Sequence, residues 1–136
     1  YLIPVIRWID DKQQGRERKK VVVSIETLMD SFLNPLSSMH KAYEMLIEKY
    51  DVYFIVPALT SDLQQGVEAQ QWIGKFINAP AWNRVILSNN PEMLYADYLI
   101  TSKKCPDFLG TVIDFGSDDF KTWESVITFF DRLGGQ

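Results

Sequence analysis

Two short stretches of this 136-residue chain gather the side chains that could do chemistry. In Val23-Ser24-Ile25-Glu26-Thr27-Leu28-Met29-Asp30, hydroxyls and carboxylates follow a β-branched run. In Ile100-Thr101-Ser102-Lys103-Lys104, two hydroxyls precede two ammonium groups. Carboxylate oxygens suit a hard cation, whereas hydroxyls beside ammonium groups suit a small anion. Lys103 with Ser24 and Thr27 would make a metal-free anion pocket; a solvated loop after a strand is the simpler use of paired lysines. The single Cys105 and single His40 supply neither an internal disulfide nor a thiolate and imidazole zinc set. Arg16-Glu-Arg-Lys-Lys20 is the one basic cluster and reads most simply as a solvated linker. Asp10-Asp11 opens a loop, and Asp118-Asp119 is read as the start of a helix, where acids complement the macrodipole.

The elements that must position these residues follow from periodicity. Lys20–Ile25 and Asp51–Val56 are β-branched runs without alternation, as in strands buried on both faces of a parallel sheet. Arg84–Leu87, Asp97–Ile100 and Thr111–Phe115 are shorter strand candidates, with a helical turn over Pro91–Tyr95. Helices are predicted over Met39–Tyr50, capped by Ser37-Ser38, over Ser61–Ile77, and over Asp118–Leu133, ended by Gly134-Gly135. Alternating strands and helices predict a three-layer α/β/α Rossmann-like domain with a mainly parallel sheet. Ligands then sit at the carboxyl ends of the strands, just past Val23, Ile55, Leu87 and Ile100.

Composition narrows the function classes. The 46% apolar fraction is globular, and no stretch approaches the roughly 20 apolar residues of a membrane span. A net charge of −4 argues against nonspecific nucleic-acid binding. One cysteine and no leader-like segment make a reducing cytoplasm the expected compartment.

In order and spacing, these strand ends resemble the haloacid dehalogenase superfamily, and within it the cytosolic 5'(3')-deoxyribonucleotidases. Val22-Val-Ser24-Ile-Glu26-Thr27-Leu28-Met-Asp30 is similar to the family's opening Asp-x-Asp-Gly-(Thr/Val)-Leu-x-Asp, with the Gly deleted after Glu26. Tyr50–Ala58 resembles the strand ending in Thr-Thr-Ala-Pro, Arg84–Ser88 the strand before a lysine loop, and Ala96–Ile100 the strand running into paired aspartates. The resemblance spans about Lys20 to Phe130 and implies a phosphohydrolase fold. It also implies which groups are replaced. Ser24 stands for the nucleophilic Asp and Glu26 for the second Asp; Val56 and Pro57 stand for the phosphate-binding hydroxyl. Pro91 falls near the lysine, and Thr101-Ser102 replace the metal-binding aspartates. Phosphoryl transfer needs positioning and charge stabilisation from these groups jointly. Between Asp30 and Asp51 only one helix fits, so no cap domain is expected.

The resulting expectation is a catalytically degenerate, nucleotidase-like domain that serves protein interaction or regulation without a cofactor. Its vestigial pocket would comprise Ser24, Glu26, Thr27, Val56, Pro57, Thr101, Ser102 and Lys103. A divergent magnesium-dependent phosphatase using Glu26 and Asp30, with Asp114, Asp118 and Asp119, is the enzyme alternative; a metal-free phosphate or nucleotide binder is the other. Residues 1–19 read as an N-terminal strand and linker, and 20–136 as the α/β domain. The apolar start, with Leu2, Ile6 and Trp8, is expected to add a strand or to meet a protein partner or a second copy.

Overall fold

In the computed structural model, residues 18–30, 34–57, 63–76 and 84–133 are described. The first β-branched run becomes β1 (Lys20–Ser24), the middle of a five-stranded sheet. β2 (Asp51–Val56) and then β3 (Val85–Leu87) lie on one side of it; β4 (Tyr98–Thr101) and then β5 (Thr111–Asp114) lie on the other. Every pairing is parallel. Among the described residues three helices follow the strands: α1 (Met39–Lys49), α2 (Leu63–Phe76) and α3 (Trp123–Leu133).

Alternate residues of β1 serve opposite faces. Val21 and Val23 join one apolar cluster with Leu46 of α1, Ile73 of α2 and Phe130 of α3, while Val22 joins Ile55, Leu99 and Phe108 in another. Burial on both faces is the reason the run carries no polar interruption. The domain is thus a three-layer α/β Rossmann-like fold, with a difference from expectation in its third layer. That face is covered by the connections leading into β4 and β5, through Leu94, Cys105 and Phe108, with one 3-10 turn at Pro91–Met93. These connections, 88–97 and 102–110, fall short of the dozen or so residues that a helical crossover takes.

Asp97 fastens the amino ends of three strands. Its Oδ2 accepts the Lys20 N–H at 2.8 Å, its own N–H donates to the Lys20 carbonyl, and its carbonyl accepts the Thr111 N–H at 2.9 Å. The chain returns to Asp97 through Gly110, where a Cβ would lie 2.4 Å from the Ala96 carbonyl oxygen and 2.6 Å from that of Asp97. Only glycine permits so close an approach. On the neighbouring strands, Arg84 Nη1 lies 4.0 Å from the buried Asp51 carboxylate, and its guanidinium stacks on the Tyr53 ring.

Three sequence expectations are corrected here. The basic cluster is not wholly a solvated linker: the half-buried Arg18 donates to the carbonyls of Ile47, Glu48 and Tyr50, satisfying the carboxyl end of α1. Ser38 precedes α1 in the left-handed region at φ 64° and makes no side-chain cap; its hydroxyl donates instead to Glu124 of α3 at 3.1 Å. The last helix starts at Trp123, not Asp118. Gly116, at φ 95°, bends the chain so that its N–H meets the Phe120 carbonyl, and Asp118-Asp119 sit in this exposed turn. Trp72 and Trp123 are core residues. The N-terminal strand, Asp10-Asp11, the Ser61-Asp62 helix start, Trp82 and the Gly134-Gly135 stop lie outside the described residues. No described helix is long and apolar enough to cross a membrane.

The close approach at Gly110 makes it the least substitutable backbone position near β5. Gly110→Ala is expected to cost about 1–3 kcal/mol, as overpacking does, read as a lowered urea midpoint with an unchanged slope.

Candidate functional site

The strand order reverses at β1: the chain builds β1, β2 and β3 outward on one side, then returns to place β4 on the other. Such a switch point leaves a crevice beyond the carboxyl ends of the two central strands. Here it measures about 520 Å³ and is lined by Ser24, Glu26, Ser88, Thr101, Lys103 and the Cys105–Asp107 loop, among others. A second cavity of about 480 Å³ shares Glu26, Pro57 and Lys103 with it and has Met29, Val56, Ala69 and Trp72 in its wall.

Glu26 stands in the 3-10 turn Ile25–Thr27 that leaves β1. Its Oε1 accepts three hydrogen bonds: from Thr101 Oγ1 at 3.1 Å, Ser102 Oγ at 3.1 Å and the Ser102 N–H at 3.3 Å. Thr101 Oγ1 in turn accepts the Lys103 N–H at 3.2 Å. The two chemistry-bearing stretches of the sequence are therefore locked together through one carboxylate oxygen. Charge-assisted bonds of this kind are stronger than neutral ones.

Two buried bonds hold the turn from beneath. Thr27 Oγ1 donates to the Ser24 carbonyl at 2.7 Å, and the indole Nε1–H of Trp123 donates to the Thr27 carbonyl at 2.7 Å. Thr27, 1% exposed, spends its hydroxyl on the backbone and does not line the crevice. Ser24 behaves otherwise. The residue is 6% exposed, and its Oγ has no hydrogen-bond partner among the described residues and borders the crevice.

Of the remaining predicted pocket residues, Pro57 and Lys103 border both cavities, and Val56 borders the apolar one. Ser102 reaches the site through Glu26. Pro91 lines the crevice and offers no donor. The magnesium site implied by the resemblance is not matched by these residues. Glu26 gives one carboxylate at the strand ends, already engaged by three donors, and Asp30 accepts the Asn34 N–H at 3.0 Å. Among the described residues no three of His, Cys, Asp and Glu come together as cation ligands, so Asp114, Asp118 and Asp119 do not complete a set with Glu26 and Asp30.

The sequence reading missed two contributors. Trp123 was legible as a core aromatic, but its indole N–H has to find an acceptor when buried, and that acceptor holds the Glu26 turn. Cys105 forms crevice wall; burial, and next the Glu92 carboxylate, push its thiol above the ordinary range.

No protein-family profile matches the chain. A protein of Vibrio phage KVP40 described as "Putative 5'(3')-deoxyribonucleotidase" is 28% identical over 100 residues, covering 71% of this chain and 59% of that protein. The chain thus has a distant nucleotidase-like relative and spans less than two thirds of its length.

Thr101→Val removes a donor to Glu26 and the acceptor of the Lys103 N–H, and should lower stability by about 1–2 kcal/mol in urea denaturation. Cys105 should be alkylated by iodoacetamide more slowly than free cysteine at pH 8, with the rate climbing as pH rises further, because the raised thiol withholds its thiolate.

Proposed function

We propose that this chain is a catalytically silent, nucleotidase-like α/β domain that works as a protein-interaction or regulatory module. The observation that carries this reading is the state of Glu26. In a phosphohydrolase of the haloacid dehalogenase type, the carboxyl ends of β1 and β4 would present several carboxylates to a cation and a phosphate. Here β4 presents hydroxyls, and they bond to the acid of the β1 turn. Ser24, the residue at the nucleophile position, has no general base bonded to it among the described residues. Val56 and Pro57 bring no side-chain donor to a phosphoryl oxygen. These bonds position a loop and assemble no carboxylate set for a cation, whose charge stabilisation is a large part of phosphoryl-transfer catalysis.

The enzyme reading has one observation in its favour, the description of the phage relative. It predicts magnesium-dependent turnover. On the silent-domain reading, phosphate release from deoxynucleoside 5'-monophosphates and p-nitrophenyl phosphate stays at the Glu26→Ala background with millimolar magnesium present, and calorimetry gives no magnesium binding heat. Magnesium-dependent release that disappears in Glu26→Ala would overturn it.

A further inference from the structure

We infer that the crevice and its neighbouring apolar cavity act as one trough that receives a basic, apolar peptide segment of a partner protein; this rests on the silent-domain reading. The two cavities meet at Glu26, Pro57 and Lys103 and are continuous in their lining. One half is floored by apolar side chains, Met29, Val56 and Trp72. The other carries the unpartnered Ser24 hydroxyl, in a residue more than nine-tenths buried, facing open space. Open to the crevice, that hydroxyl can exchange water for a polar group of a ligand.

The charge of the lining selects the ligand's sign. In the crevice, Glu26, Glu92 and Asp107 face Lys103 and Lys104. The apolar half adds Glu68, besides the already engaged Asp30, and no further cation among the described residues. Leaving Asp30 aside, four carboxylates among the described lining residues thus oppose two ammonium groups. A phosphate dianion would enter a lining already negative, whereas an ammonium or guanidinium group would be drawn in. Its N–H groups can donate to Ser24 Oγ and to Glu26 Oε2, the oxygen that Thr101 and Ser102 leave open. The apolar floor next to this polar point requires a neighbouring apolar side chain. Adjoining cavities of about 520 and 480 Å³ have room for several residues of a peptide rather than one small cation.

The test uses the full chain and fluorescein-labelled nonapeptides read by anisotropy: alternating Leu and Lys, alternating Leu and Glu, and alternating Ser and Lys. The Leu/Lys peptide is expected to bind saturably, and the Ser/Lys peptide about tenfold more weakly or worse. The double variant Glu26→Gln with Glu68→Gln should weaken Leu/Lys binding by about tenfold or more while the protein still unfolds in one cooperative transition, because Gln keeps an acceptor for Thr101 and Ser102, in weaker neutral bonds. Asp118→Asn with Asp119→Asn, which removes the same charge from the exposed turn, should leave binding as it was. The inference is overturned if the Leu/Glu peptide or inorganic phosphate binds in preference, if spermidine displaces the Leu/Lys peptide at equal concentration, or if the two double variants weaken binding alike. Absence of both hydrolysis and peptide binding overturns this inference alone; magnesium-dependent hydrolysis overturns the silent-domain reading as well.

Discussion

β1 is hydrogen-bonded in parallel along both edges, Val23 standing opposite Phe54 on one side and Ile100 on the other. A strand flanked this way must be apolar on both faces, and the segments that leave it and its neighbours must all exit at the same end. That constraint puts Ser24, Glu26, Pro57, Ser88 and Thr101 around one opening although they are scattered over most of the sequence. The layers on either side follow from it too, since each apolar face needs cover. Three helices cover one face, and irregular connections ending in Phe108 cover the other.

Within that frame, one cluster of hydrogen bonds closes the opening. A cation among carboxylates would hold the ends of β1 and β4 together through metal–oxygen bonds. In this chain the same closure is made by two hydroxyls and a backbone N–H on Glu26 Oε1. Hydrogen bonds of that kind hold the loops without drawing in a divalent ion.

Much of this architecture was legible in the sequence, because runs such as Val21-Val22-Val23 report two-sided burial directly. The convergence of Ser24, Glu26 and Thr101 was also legible, since strand ends in a parallel sheet share a pole. What escaped the reading depends on partners distant in the chain. The sequence around Ser37-Ser38 has the composition of a cap, yet Ser38 bonds to Glu124, on a helix far along the chain. Arg18 looks like one charge in a basic linker until the end of α1 is placed against it. Thr27 has the residue type of a phosphate binder, but the backbone turn it occupies directs its hydroxyl inward. At Asp118 the helical periodicity of Phe120 and Trp123 ran ahead of the turn that Gly116 imposes.

The indole of Trp123 completes the turn that carries Glu26 across a sequence separation of 96 residues, and Thr101 reaches the same glutamate across 75. Both partners leave the ribosome long after β1. During synthesis the first strand and its turn therefore emerge with their binding edge unsatisfied, and contacts so remote in sequence are slow to form. The opening is a late product of translation: until β4 emerges the central strand is paired along one edge at most, and until α3 docks the turn that carries Glu26 lacks its indole anchor.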